Sequence, residues 1–376
     1  MNDGGTKHVE YTHLGKSGLV VSNLCLGTMT FGKNEDSYSA IYTSPTQTNE
    51  EVSHQILDRY VELGGNMIDT SNLYSFGKSE QIIGRWLCKR HRTDIVLATK
   101  VRAPIGPGPN EGGLSRRHII QSCKESLHRL QTDYIDLYQM HAWDDSVPVE
   151  ETLRTFDDLV RSGKVRYIGA SNLKGWQLQK MVDISKYIGL PTVISLQQQY
   201  SLLRRESEND EFEVCANEGV GVLPFGSLKG GLLTGKYTKN DGKSPSVLGR
   251  LSHASSVGYK GTQSCPSLSS YEGDESYHNL LNTMETIGNT HGKTISQVAL
   301  RWVLQKKIVS SVIIGATSVK QLEENMAAGS GWNLSDDEMT ELDQVSHVDN
   351  QYVQNQGVLW KSKAKIMYPN SLLNNL

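Results

Sequence analysis

The runs Tyr134-Ile135-Asp136-Leu137-Tyr138-Gln139-Met140 and Val165-Arg166-Tyr167-Ile168-Gly169-Ala170 are short, apolar and rich in β-branched and aromatic residues, with a longer amphipathic stretch between them. A strand, a helix long enough to cross over and a second strand make a unit whose strands run parallel. From about residue 23 onward the same alternation recurs, with candidate strands at Leu24–Leu26, Met67–Asp69, Ile95–Thr99, Tyr134–Met140, Val165–Ala170, Val193–Leu196, Gly221–Pro224 and Ser311–Ile314. Helical patterns fill the intervals.

Eight strands with helices between them predict an α/β fold, a (β/α)8 TIM barrel. Ahead of the first strand, Tyr11-Thr12-His13-Leu14 and Leu19-Val20-Val21 flank Gly15-Lys16-Ser17-Gly18, the pattern of an N-terminal β-hairpin placed to plug one end of the barrel. Among the helices, Thr48-Asn49-Glu50-Glu51 supplies a cap and an acidic first turn before Ile56, Leu57, Tyr60 and Leu63, and Gly64-Gly65 is the stop. Ser115 caps the segment carrying Ile119, Ile120, Cys123, Leu127 and Leu130. Two connections, Gly32–Gln47 and Lys236–Tyr271, are long enough to be active-site loops. Neither separates segments that would complete a core alone, so one domain is expected over 1–376, with the barrel at about 11–346 and a tail at 347–376. Trp360 and Tyr368 are the tail residues able to pack over the barrel mouth.

Composition excludes several classes of partner. With 376 residues, 37% hydrophobic, 21% charged and a net charge of -3, the chain is neither disordered nor strongly basic, and nucleic acid is not an expected partner. No apolar run approaches the ~18 residues of a membrane span, and residues 1–5 lack the features of a secretory signal. Five cysteines without a C-x-x-C pair point to reduced thiols and a cytoplasmic location. No His or Cys pair has metal-ligand spacing, so no metal is expected. Nothing in the sequence specifies an oligomeric state.

The polar residues at the predicted strand ends carry the chemistry, because catalytic groups of such barrels sit where strands pass into βα loops. Asp69, Lys100, His141, Ser171, Asn172 and Gln197 stand there, with Tyr74 just beyond Asp69. Taken singly, each has an ordinary structural explanation, a turn cap, a surface charge or a packed histidine. Converging from neighbouring strands beside a core, they need a joint explanation. A phenol with pKa near ~10 is a poor acid, and a nearby ammonium favours its ionised form. Lys100 is therefore expected to lower the pKa of Tyr74, Asp69 to hold Lys100, and His141 to orient a substrate carbonyl.

The motifs around these residues resemble the aldo-keto reductase superfamily over Tyr11 to about Val345. They are Leu14-Gly15-Lys16-Ser17-Gly18-Leu19, Leu26-Gly27-Thr28-Met29-Thr30-Phe31-Gly32, Asn66–Tyr74 with its Asp-Thr-x-x-x-Tyr pattern, Gly77-Lys78-Ser79-Glu80, Ala98-Thr99-Lys100, Asp136–His141 and Gly163–Asn172. The resemblance implies a catalytic tetrad of Asp69, Tyr74, Lys100 and His141, and NADPH (NADP+) as hydride donor for a small-molecule aldehyde or ketone. It also implies cofactor contacts. Ser171, Asn172 and Gln197 would hold the nicotinamide carboxamide and Phe225 would stack on the ring, with Thr28 also in the cofactor site. Leu228, Gly231 and Lys236 would lie at the pyrophosphate, and Gly315, Ser318, Gln321, Glu324 and Asn325 at the adenosine end. Phe225-Gly226-Ser227-Leu228 departs from the family's aromatic-Ser-Pro-Leu, and Gln321 stands where several relatives have Arg. A helix N-terminus can supply amide donors to the 2′-phosphate in place of that charge.

Two glycine-rich decoys fail. Gly106-Pro107-Gly108-Pro109-Asn110-Glu111-Gly112 has Glu111 where a dinucleotide-binding glycine is needed, and Gly230–Tyr237 has Tyr237 where a P-loop needs Ser or Thr. The competing functional class is a cofactor-binding regulatory protein like the potassium-channel β subunits, which share the Gly-Leu-Ser-Arg stretch seen at Gly113–Arg116. Those subunits resemble the family less at the histidine, which is intact here as His141. Trp143 is the candidate pocket wall.

Overall fold

The computed structural model describes residues 9–32, 47–237, 251, 268–271 and 273–346. The interiors of the two long connections and the tail from 347 onward, with Trp360 and Tyr368, lie outside the described residues.

The first two strands, β1 (Tyr11–His13) and β2 (Val20–Ser22), pair antiparallel as the expected hairpin. Eight parallel strands follow, β3 (Leu24–Gly27), β4 (Met67–Asp69), β5 (Val96–Val101), β6 (Ile135–Met140), β7 (Val165–Ser171), β8 (Ser195–Gln199), β9 (Gly221–Phe225) and β10 (Val312–Ile314). They pair in the order β10-β3-β4-β5-β6-β7-β8-β9. A parallel bridge between Val222 and Val309, with Ser310 N–H donating to the Val222 carbonyl at 2.9 Å, brings the last strands together and closes the expected (β/α)8 barrel.

Around it run α1 (Glu50–Glu62), α2 (Lys78–Leu87), α3 (Arg116–Leu130), α4 (Val149–Arg161), α5 (Gly175–Ile188), α6 (Glu211–Glu218), α7 (Glu275–His291), α8 (Ile295–Leu304), α9 (Val319–Met326) and α10 (Asp336–Val345). The caps act as read from sequence. Asn49 accepts from Val52 N–H at the start of α1, Ser115 accepts from His118 N–H at the start of α3, and Gly64 turns the chain at φ 95°.

Alternation along the strands sorts side chains into two environments. Outward residues such as Ile68, Leu97, Tyr138 and Ile168 join the large core between strands and helices. Inward ones, Cys25, Met67, Val96, Ala98, Leu137 and Leu223, form a separate apolar cluster completed by Leu14 and Val21 of the hairpin segment. The hairpin thus plugs the barrel, as expected. Its turn is tied down where Lys16 N–H donates to the Gly219 carbonyl and Gly15 N–H to Ser310 Oγ. Glycine is required at 15, because φ is 58° and a Cβ there would lie 2.5 Å from the backbone nitrogen of Gly221.

Strands β5 and β8 extend beyond their expected ends of Thr99 and Leu196, so Lys100 and Gln197 lie within strands and not beyond them. Polarity read as a strand end is here the mark of a polar upper layer inside the barrel.

Candidate active site

Interior positions of β4, β5, β6 and β8 place Asp69, Lys100, Gln139 and Gln197 together, all almost fully buried. Lys100 Nζ donates to Asp69 Oδ1 at 2.5 Å, to the Thr70 carbonyl at 2.9 Å and to Tyr74 Oη at 3.2 Å. The other carboxylate oxygen, Asp69 Oδ2, accepts from Gln139 Nε2 at 3.0 Å and Gln197 Nε2 at 2.8 Å. A buried ion pair is tolerated only when its remaining lone pairs and protons are used, and here they are.

Tyr74 opens a short 3-10 turn after β4, its N–H bonded to the Ser71 carbonyl. The following Ser75 and Phe76 are left-handed, at φ 49° and 52°, and Ser75 Oγ fastens the turn to the Phe31 and Gly32 carbonyls. Arg102, Asn172 and Lys229 are further non-glycine residues at positive φ on the loops of the same rim. Backbone strain of this kind gathers where a fold holds functional groups in place.

The imidazole of His141 meets the Tyr74 ring edge to face, centroids 6.1 Å apart, and Nδ1 lies 3.2 Å from Ser71 Oγ. Burial, and then the charges of Lys100 and Arg102, push its pKa down to about 3, so the ring is neutral over the ordinary pH range. Burial opposes the charge on Lys100, but Asp69 and Tyr74 outweigh it and its pKa rises. For Tyr74 the expected lowering is reversed. Lys100 does pull the phenol down, but burial is the larger effect and the net shift is upward. Tyr74 is accordingly a proton-bearing phenol at neutral pH, in contact with a cation.

The other expected residues lie along an arc at the ends of β7 to β10. Ser171 ends β7, and Asn172, at φ 53°, donates from Nδ2 to the His141 carbonyl and to Ser171 Oγ. Phe225 ends β9 half-buried, and Leu228 leads into a 3-10 segment where Gly231 has φ 102° with Lys236 beside it. Beyond β10, Gly315 is exposed, Ser318 caps α9 by accepting from Gln321 N–H, and Asn325 Nδ2 donates to the Gly315 carbonyl. Two more are hydrogen-bonded within the protein. Thr28 donates its hydroxyl to the Asp69 carbonyl, and Glu324 accepts from Thr294 Oγ1.

Trp143 is half-buried at the rim, its ring centroid 5.7 Å from that of Trp176 and its Nε1 donating to Asp145. Sequence reading missed Trp176, Ser71 and Gln139. Gln139 had a signal, since it stands two residues after inward Leu137 and so must point inward as well.

Among the described residues no group of His, Cys, Asp and Glu side chains could hold a metal ion, and no helix is long and apolar enough to cross a membrane.

A parallel eight-stranded barrel with a lysine, a carboxylate, a phenol and a neutral imidazole at the C-terminal end of its strands defines a class of oxidoreductase. The model of the aldo/keto reductase family matches residues 23–347, and the chain belongs to that family. It is 36% identical to an uncharacterized oxidoreductase, YrpG, of Bacillus subtilis, over 85% of this chain and 91% of that one. It is 33% identical to norsolorinic acid reductase B of Dothistroma septosporum, over 82% of this chain and 74% of that one. It is also 33% identical to a probable voltage-gated potassium channel subunit beta of Arabidopsis thaliana, over 85% and 91%.

Proposed function

We propose that the chain reduces the carbonyl of an aldehyde or ketone to the alcohol with NADPH, Tyr74 giving the proton. The observation that carries this is the position of Lys100 Nζ, between Asp69 Oδ1 at 2.5 Å and Tyr74 Oη at 3.2 Å. NADPH supplies a hydride when bound. Tyr74 holds its own proton at Oη, and as that proton leaves for the carbonyl oxygen the Lys100 ammonium stabilises the phenolate left behind. Asp69 keeps Lys100 charged and aimed. His141 is neutral, with Nδ1 3.2 Å from Ser71 Oγ; in the tautomer whose Nδ1 accepts from that hydroxyl, Nε2 carries the hydrogen and would donate to the same carbonyl oxygen.

The residues fit the cofactor. Among the described residues the buried Ser227 hydroxyl has no hydrogen-bond partner, which suits a loop that receives a pyrophosphate. Gln321 Oε1 accepts from Thr317 N–H and Oγ1, at 3.0 and 2.9 Å, so its Nε2 is turned outward as a donor at the N-terminus of α9. A donor amide beside helix N–H groups favours a 2′-phosphate, and NADPH is preferred to NADH on this reading. Asn172 and Ser171 would hold the nicotinamide end, and Phe225 would offer its ring for stacking. Four unpaired cysteine thiols among the described residues support a cytoplasmic setting.

The test follows NADPH absorbance over a panel of aldehydes and ketones, with Tyr74→Phe as comparison. Wild type is expected to consume NADPH, and Tyr74→Phe to bind it equally well while losing about 10²–10⁴-fold in turnover. Tight NADPH binding without turnover by wild type favours the regulatory role suggested by the potassium-channel relative. Absence of binding to either nicotinamide cofactor removes the proposal.

A further inference from the structure

We infer that Gln139 is a positioning residue, one half of an amide clamp that fixes the second oxygen of Asp69 and through it the lysine that serves Tyr74. The inference rests on the reductase reading above.

The geometry is specific to the interior layer. Lys100, Gln139 and Gly169 are register partners across β5, β6 and β7, so the three positions lie side by side on the barrel wall. Gly169 leaves room for the amide. A Cβ at that position would approach Ser195 Oγ to 2.6 Å and Gln139 Cγ to 3.1 Å. Gln139 is wholly buried, so its polar atoms have only protein partners to choose from.

The hydrogen-bond accounting leaves one arrangement. A carboxylate only accepts, and Oδ1 of Asp69 is taken by Lys100. Both amides that reach Oδ2 must therefore turn their nitrogens to it, Gln139 at 3.0 Å and Gln197 at 2.8 Å. Gln197 gives its second hydrogen to Gln139 Oε1 at 3.4 Å. The two glutamines thus brace one another as well as Asp69. With its nitrogen spent inside the barrel, Gln197 has only its carbonyl oxygen to offer the cofactor, which makes it an acceptor for a carboxamide NH₂ group.

Without Gln139, Oδ2 keeps only the Gln197 amide, itself no longer braced, and the carboxylate is freer to swing about Cα–Cβ and carry Nζ away from Tyr74 Oη. The charged or titratable groups that face this pair are Tyr74 from the turn after β4, Cys25 from β3, and His141 and Arg102 from the ends of β6 and β5. Burial keeps the Cys25 thiol protonated and His141 is neutral, so neither takes over the role of anchoring Lys100.

Two substitutions test the clamp. Gln139→Leu keeps the volume and removes the donor. Expected is kcat lower by about tenfold or more at neutral pH, a larger change than in NADPH affinity. Gln139→Glu restores a donor only while its carboxyl is protonated. In that variant kcat should approach wild type near pH 5 and fall as pH rises to about 8, where the introduced group ionises against Asp69. Its urea midpoint should fall over the same interval relative to wild type, because a group whose pKa is raised by folding contributes stability at low pH and loses it as pH rises.

Wild-type kcat in Gln139→Leu, or pH profiles of kcat and urea midpoint in Gln139→Glu that parallel wild type, would overturn the inference. If Gln139→Leu does not fold, the glutamate variant decides alone, and its failure to fold or turn over near pH 5 counts against the clamp. If wild type itself reduces no carbonyl, the reductase reading fails, while the urea profile still reports whether Gln139 donates to Asp69.

Discussion

The lower and upper halves of the barrel interior are built from the same strands and obey opposite rules. Below, Leu14, Val21, Cys25, Met67, Val96, Ala98, Leu137 and Leu223 make a core with hardly a polar side chain, sealed by the hairpin. Above, two residues further along β4 and β5, Asp69 and Lys100 replace Met67 and Ala98 on the same face. The lower layer is stabilised by burial, which is non-directional and tolerant of shape. The upper layer is held by directional hydrogen bonds in which every partner depends on the others. One register of strands thus yields a stability layer and a chemistry layer, and damage to each should be read out differently.

The largest effect is expected from Lys100→Met, which breaks the upper layer by leaving Asp69 charged and unpaired. It should cost about 3–5 kcal/mol of stability and bring turnover near background, measured by urea unfolding and by NADPH consumption. A stable, active Lys100→Met protein would erase the distinction between the layers.

Next is Leu14→Ala, which hollows the plug from below. A loss of about 2–5 kcal/mol in unfolding free energy is expected, with kcat in the folded protein unaltered. A fall in kcat at a temperature where the variant is fully folded would show that the two layers are coupled.

The smallest effect sharpens the electrostatics of the upper rim. His141 stays neutral in the fold down to about pH 3, whereas in the unfolded chain it takes a proton below about pH 6.5. The unfolded state then binds more protons, so stability is lost as pH falls from 7.5 to 5. In His141→Asn the drop in urea midpoint over that interval should be shallower than in wild type.

The strand positions were legible because β-branched and aromatic runs are local signals, and Leu24, Met67 and Gly221 begin β3, β4 and β9 as expected. The tetrad residues were legible because charge beside a core is rare. What escaped depended on distance in the chain or on depth. Lys100 and Gln197 were placed at strand ends because polarity alone does not distinguish a rim from a polar interior. Ser71 meets His141 only across seventy positions of sequence, and Gln197 meets Asp69 across 128. The sign of the Tyr74 shift could not be read from the presence of Lys100, since it is a contest between a neighbouring charge and burial, and burial is a property of the fold. Trp176, in the first turn of α5, had no partner in sight until the fold brought Trp143 against it.

The hairpin that seals the barrel also sets a timetable. Its turn is anchored to Gly219 and to Ser310, the latter contact spanning 295 positions. A ribosome makes this segment before its anchors, so Leu14 and Val21 lack their full set of partners until the chain has grown past Ser310. Contacts of such long range form slowly and leave apolar surface open to wrong partners in the meantime. The bottom of this barrel should therefore be the last part to lock during biogenesis, and the point at which a chaperone has most to shield.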